Sequence, residues 1–321
     1  MIIGFSTADS DKPKVIYSGE KVQEVAHINA YLVDFDNIFV ESRSKPICNV
    51  PEIGMGNQPI DDGNYLFTED EMKDFIKKEP AAEKYFKAWY GAYEFINSKP
   101  RYCLWLGDCT PNELRKMPQC LKRVEAVREF RLNSKSKPTQ KLADKPTRFH
   151  VENMPKGNYI VIPEISSEKR KYIPIGFMDD SVLCSNLLKL IPNATLYHFG
   201  VLTSNVHIAW TRTVCGRLES RFRYSKDIVY NNFVWCKPTE KQRKKIEQTA
   251  QAILDARALY PDSSLADLYN DTLMPPELRK AHQANDKAVM EAYGFDVKST
   301  TETDCVAELM KLYQQMAVEC G

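Results

Sequence analysis

The feature that most constrains this chain is a change of texture at Lys237-Pro238. Ahead of it, short apolar or alternating runs are separated by Pro, Gly, Asn and Asp. Beyond it, Gly and β-branched residues thin out, and KQRKKIEQTAQAILDARALY carries a strongly helical pattern. That break predicts an α+β chain: a mixed-sheet domain with inserted helices over residues 1–238, then a mostly helical domain over 239–321. A length of 321 residues is ample for both.

Within the first part, strands are expected at residues 15–17, 38–41, 102–106, 159–162, 172–177 and 187–191. MIIGF at the start is a bare strand signature with no turn before it, and reads as the last strand of something upstream. Helices are expected from Thr68 to about Lys78, after Thr110-Pro111, and after Pro118 with Leu121, Val124, Val127 and Phe130 inward. Residues 199–214 predict one continuous helix stopped by Gly216. Runs at 218–224 and 228–233 flank Ser225-Lys226-Asp227 like a hairpin. In the helical part, further helices are expected at 276–293 and 304–320, the last with Val306, Leu309, Tyr313, Met316 and Cys320 on one stripe. Two long loops stand out: 48–64, rich in Pro, Gly and Asp, and the basic stretch 135–145, expected to be mobile.

No apolar run approaches the roughly 18 residues of a membrane span, and the opening residues lack the basic start of a signal peptide. Nine cysteines without a C-x-x-C or H-x-x-x-H pair read as reduced thiols in a cytoplasmic protein, with no metal site. The net charge of +1 is a near-cancellation, but between Arg115 and Arg148 eleven basic residues face three acidic ones. That excess is either a footprint for phosphates or a solvated helix face followed by a loop.

Catalytic signatures are missing. Met274-Pro275-Pro276-Glu277 has the prolines of an adenine-methylating loop without its flanking polar and aromatic residues, and Tyr230-Asn231-Asn232-Phe233 has the aromatic without the prolines. Gly54-Met55-Gly56 is a lone G-x-G, weak as a cofactor turn. Asp61-Asp62 sits among turn residues, and His198 and His207 read as structural. The segment with specific content is Leu218-Glu219-Ser220-Arg221-Phe222-Arg223. As a strand it turns Glu219, Arg221 and Arg223 to one face. A two-stranded ribbon fits the DNA major groove, where Arg grips guanine and Glu accepts from cytosine. An ordinary solvent-facing ion pair is the competing reading.

The runs YLVDFDNIFVESRSKPIC, PRYCLWLGDCTPNELRKMP, SSEKRKYIPIGF, IPNATLYHFGVLTSNVHIAWTRTVCGRLESRFRYS, IVYNNFVWCKPTEKQ and ALYPDSSLADLYNDTLMPPELRKAH cover most of the chain. They resemble the C-terminal half of single-chain type II restriction–modification proteins of the MmeI kind, in which a target-recognition domain and a helical C-terminal domain follow an adenine-specific methyltransferase domain. The resemblance implies that residues 1–6 are the remnant of that upstream domain. It implies a double-stranded DNA partner, base readout by Glu219, Arg221 and Arg223, and phosphate contacts from Arg43, Lys45, Lys135, Lys137, Lys141, Arg170 and Lys171. It also suggests that loop 48–64 approaches a flipped adenine. No catalytic residue and no cofactor is expected in this chain: S-adenosylmethionine belongs to the methyltransferase half, a domain or subunit partner. A scaffold piece without DNA readout of its own is the alternative.

Overall fold

The computed structural model describes residues 13–319 except 19, 20, 33, 35 and 36. The expected opening strand, the remnant at 1–6 and Cys320 lie outside the described residues. In chain order come β1 (Lys14–Ser18), β2 (Lys21–Val25), β3 (Gly54–Met55), β4 (Leu66–Phe67), α1 (Glu69–Lys78), β5 (Phe86–Tyr90), α2 (Ala92–Asn97), β6 (Arg101–Leu104), α3 (Pro111–Leu114), α4 (Pro118–Leu132) and α5 (Lys137–Leu142). There follow β7 (Tyr159–Pro163), β8 (Ile165–Ser166), β9 (Gly176–Met178), β10 (Leu183–Cys184), β11 (Leu188–Pro192), α6 (Leu196–Leu202), α7 (Asn205–Val214), β12 (Gly216–Leu218) and β13 (Arg221–Arg223). Helices α8 (Glu240–Ala258), α9 (Leu265–Leu268), α10 (Pro276–Tyr293) and α11 (Glu302–Glu319) complete the chain. The fold is α+β.

Four small sheets share the work: β1-β2, the mixed β10-β5-β6-β4, the antiparallel β3-β11-β7-β9, and β12-β13-β8. One hydrophobic core runs from Ile38 through β7, α6 and α7 into α8, α10 and α11, so apolar packing continues across Lys237-Pro238. Gly200 lets α6 lie against α8: a Cβ there would stand 2.7 Å from Ile246 and 3.2 Å from Ala250. A second core of aromatic residues lies under β4, β5, β6 and α4.

Several expectations need correction. Residues 38–41 form no strand; Ile38 and Val40 are buried as unpaired extended chain. Only Gly176–Met178 of the expected 172–177 strand pairs, because Pro174 has no N–H to give a ladder. The expected helix at 199–214 is two helices. The Ser204 hydroxyl accepts from His207 N and starts α7 afresh, while α6 ends at Thr203. The hairpin turns at Glu219-Ser220, not at 225–227, and Lys226–Tyr230 forms a π turn that buries Val229 and Tyr230.

The largest correction concerns α4 and the stretch after it. Buried on α4 are Cys120, Val124, Val127 and Arg131, spaced four, three and four, while Phe130 stays exposed. Arg131 is 0 % exposed, and no ion pair to it forms among the described residues. Instead its guanidinium donates to five backbone carbonyls: Pro59 at 2.8 Å, Ile60 at 2.9 Å, Leu142 at 3.2 Å, Lys145 at 3.1 Å and Arg148 at 2.8 Å. Burial lowers its pKa from the ordinary arginine value. The stretch 135–145, expected to be mobile, is therefore largely α5 and its C-terminal turn, tied to loop 48–64 through one side chain.

Removing this guanidinium strands several buried carbonyls, each costing about 1–3 kcal/mol. Arg131→Met is expected to cost at least ~3 kcal/mol in urea unfolding and to open residues 133–148 to protease; unchanged midpoint and cleavage would disprove the hub. A second expectation concerns acid. Burial holds His207 down to about 3, His198 down to about 4 with help from Arg243, and His282 well below the usual 6.5. The unfolded chain takes up these protons first, so their stabilisation is full above pH 6.5 and is lost as pH falls toward the folded values. Asp286, raised by burial to about 6, acts oppositely between roughly 4 and 6, but one carboxyl is outnumbered by three imidazoles. The thermal midpoint should fall from pH 7.5 to pH 5, and less steeply in His207→Gln.

Candidate nucleic-acid interface

Helix α7 ends at Val214, and the chain passes directly into the β12-β13 hairpin. Its register pairs Gly216 with Arg223, Arg217 with Phe222 and Leu218 with Arg221, leaving Glu219 and Ser220 as a two-residue turn. β13 also pairs with β8, Phe222 opposite Ser166 and Arg223 opposite Ile165. Alternation does the rest: Phe222 and Tyr224 are buried, while Arg221 and Arg223 are exposed. Tyr224 is anchored by His207 Nε2 at 2.9 Å. The ribbon is thus fixed on one side and open on the other.

The two candidate readers meet, though not as neighbours on one strand face. Glu219 occupies the turn with φ +58°, and its Oε2 accepts from Arg221 Nη2 at 2.8 Å. Both side chains remain largely exposed. Arg223 sits at the root of the hairpin, where its Nε donates to Glu164 Oε1 at 3.0 Å. Glu164 also takes Lys189 Nζ at 2.8 Å on its other oxygen. Burial alone would raise the Glu164 carboxyl, yet Lys189 and Arg223 together hold it below the usual value. Lys189 and Glu164 were not foreseen; a lysine inside the apolar run LKLIP was the available signal.

A cleft of about 570 Å³ opens at this root, lined by Gly54, Met55, Glu164, Lys189, Gly216, Arg223 and the segment 224–228. Loop 48–64 reaches it through β3, whose Gly54 and Met55 pair with β11. Arg43 is tied to the segment that follows the hairpin and lines a different cavity, beside Tyr313 of α11. Its backbone N–H bonds Asp227 O at 3.0 Å, its carbonyl accepts from Asn231 at 2.6 Å, and its Nε reaches Asn232 Oδ1 at 3.3 Å. Asn231 and Asn232 are buried clamps for this segment, which accounts for their place beside Phe233. Lys45 follows, exposed.

On the β8 side lies Lys169-Arg170-Lys171. Arg170 is half-buried, its pKa lowered by burial, and its side chain has no hydrogen bond or ion pair among the described residues. It borders a smaller cavity of about 300 Å³ with Asn270, Asp271 and Thr272. Lys171 lies over the Tyr172 ring, 5.5 Å from its centroid. The neighbouring Glu168 is held below its usual value, first by its own backbone N–H and then by the Ser220 hydroxyl. Glu219, Arg221 and Arg223 thus lie on the ribbon itself, Arg43 is tied to the segment 227–232 that follows it, and Lys171 meets Arg212 at the end of the helix that precedes it. Lys135, Lys137 and Lys141 are exposed on or beside α5, whose contacts run to Arg131 and Ser134 and not to the hairpin.

The motifs weighed for catalysis have local structural roles. Gly56 is pressed against backbone, so that a Cβ would stand 2.3 Å from Ser185 O, and Gly54-Met55 is a paired strand, not a phosphate or cofactor turn. Pro275 and Pro276 open α10. Asp61 caps its own turn through Tyr65 N at 2.7 Å. No group of three His, Cys, Asp or Glu among the described residues could hold a metal ion, and no described helix is long and apolar enough to cross a membrane.

A glutamate at positive φ pays roughly 1 kcal/mol that glycine would not, and its exposed pair with Arg221 returns less than that. Glu219→Gly is expected to leave the thermal midpoint equal to or slightly above that of the parent chain. A clear drop would mean that Glu219 is there for stability.

The MmeI target recognition domain matches residues 34–237, and the MmeI C-terminal domain matches 238–320. DNA methyltransferase A of Bacillus subtilis (strain 168) is 37% identical over 316 residues, 98% of this chain and 36% of that protein. The type IIL restriction-modification enzyme MmeI, solved in complex with DNA, superposes with a TM-score of 0.92 at 47% identity, covering 97% of this chain and 42% of that one. The chain thus spans well under half the length of these relatives. With both domains matched in order and nearly end to end, this chain belongs to the MmeI family, carrying its target recognition domain followed by its C-terminal domain.

Proposed function

We propose that this chain is the sequence-specific double-stranded DNA recognition module of an adenine-N6 methylating restriction–modification enzyme. The observation that carries the reading is the ribbon itself. It is anchored by Phe222 and Tyr224 on one side and presents Glu219 and Arg221, already paired at 2.8 Å, on the other. An Arg fork and a carboxylate held that close match the guanine O6/N7 acceptors and the cytosine N4 donor of a single C·G pair. Arg223, tethered by Glu164, reads nearer the root. Arg43, Lys45, Arg170 and Lys171 supply phosphate contacts beside the ribbon, and Lys135, Lys137 and Lys141 extend them along a separate face. Such contacts fix register without reading sequence.

Loop 48–64, brought to the cleft by Gly54 and Met55 and stiffened by Arg131, approaches the flipped adenine. The methyl transfer, and the S-adenosylmethionine it consumes, belong to a methyltransferase domain or subunit beyond these residues, in a cytoplasmic enzyme. The rival reading, a scaffold with no readout of its own, predicts different chemistry at the ribbon.

The test is selection from a random-sequence duplex pool at two salt concentrations. Glu219→Lys with Arg221→Asp should change the preferred base at one position and leave the others alone; an identical motif would sink the base-reading assignment. Replacing Arg170 or Lys171 by Ala should weaken all sequences alike and reduce the salt slope by about 0.9 per residue. Absence of binding at either salt favours the scaffold.

A further inference from the structure

A two-residue turn on two three-residue strands is marginal by itself, yet base readout demands side chains held to within about 0.5 Å. Something must steady this tip. β13 is paired along both edges, but β12 has no second neighbour among the described residues. The free edge carries Arg217, a residue to which neither the sequence nor the proposed readout assigns a role.

Its guanidinium is committed three ways. Nη2 donates to Arg212 O in the last turn of α7 at 2.9 Å, and Nη1 donates to Ser220 O in the hairpin turn at 3.3 Å. The plane stacks over the buried Phe222 ring, 4.3 Å from its centroid. Arg212 is held in turn: its Nη1 pairs with Glu302 of α11 at 2.9 Å, and its Nη2 reaches Lys171 O at 3.4 Å. The line therefore runs from the C-terminal domain through the end of α7 to the turn that carries Glu219.

We propose that Arg217 is the positioning residue of the recognition ribbon, a strut that fixes the Glu219-Ser220 turn against the end of α7 and so sets where Glu219 and Arg221 meet a base. The proposal rests on the reading of the ribbon as the base-reading element. A planar fork can bridge two carbonyls and stack at the same time; an ammonium on a flexible stem keeps the charge but cannot do all three.

The decisive comparison is Arg217→Lys against the unaltered chain, with Arg217→Gln as a second variant, since the position is exposed and the fold should survive either change. Amide hydrogen exchange at Leu218 and Arg221 is followed without DNA, and duplex selection with salt titration is run alongside. The strut predicts exchange faster by roughly tenfold at the tip, an unchanged thermal midpoint, an unchanged salt slope in Arg217→Lys, and loss of preference at the position read by Glu219 and Arg221. Unchanged exchange overturns the strut whether or not the ribbon reads DNA. Faster exchange with the original motif retained overturns the positioning role. A salt slope lower by about one with exchange unaltered makes Arg217 a phosphate contact and overturns the proposal too. Should the unaltered chain enrich no motif, the base-reading assignment fails by itself, and the exchange data alone decide the strut.

Discussion

The burial of α7 is the constraint on which the rest of the structure depends. Seven of its ten residues are buried, including His207 and Trp210, so it is enclosed on more than one stripe. Such a helix must be enclosed, and here α6, α10, α11 and the π turn at Lys226–Tyr230 do so. Trp210 gives its indole N–H to Val229 O at 3.0 Å, and Asp286 of α10 accepts Asn205 N at 2.8 Å at the helix start. The same Asp286 takes the Tyr172 hydroxyl at 2.6 Å, just after the basic loop. Enclosure of one helix therefore fixes both the launch point of the ribbon and the loop beside it. The C-terminal helices are needed for this, which is why the two family domains share a single core.

Several polar groups inside that core are paired in a way that links segments. Tyr269 bridges Arg257 and His282, and the His282 ring stacks on Tyr172 at 4.0 Å. Arg131 does the same for the aromatic core with five carbonyls and no carboxylate. Backbone carbonyls offer partial negative charge without the desolvation cost of a second ion, so a buried guanidinium can organise loops where a buried ion pair would be costlier. The basic excess noted between residues 115 and 148 is thus divided: Arg131 is internal, while the lysines of α5 are left for solvent or phosphate.

At the ribbon the order of priorities is reversed. Glu219 accepts an unfavourable backbone conformation, and its pair with Arg221 is exposed and worth little in water. Arg170 keeps a half-buried charge whose side chain has no hydrogen bond or ion pair among the described residues. A left-handed glutamate at an exposed turn, returning so little through its ion pair, is not there for stability.

What the sequence determined by itself was whatever depends on neighbours along the chain. The break at Lys237-Pro238, the capping box that starts α1 at Thr68, the apolar strands β7 and β11, and the inward Phe222 and Tyr224 all follow from local pattern. The family membership followed from long runs of residues. What only the tertiary structure decided were features set by distant partners. Pro174 ended a strand whose apolar composition alone looked continuous, and Ser204 restarted a helix whose periodicity ran unbroken. Arg131 turned a polar stretch into a helix by reaching carbonyls up to seventy-two residues away in sequence. The turn moved to Glu219-Ser220 because β8 claims the other edge of β13 and the burial of Val229 and Tyr230 against α7 takes the following segment out of the sheet. Periodicity records which side of an element is buried; it carries no record of which remote carbonyl or carboxylate will meet a charged side chain, and the ribbon's geometry is made of those meetings.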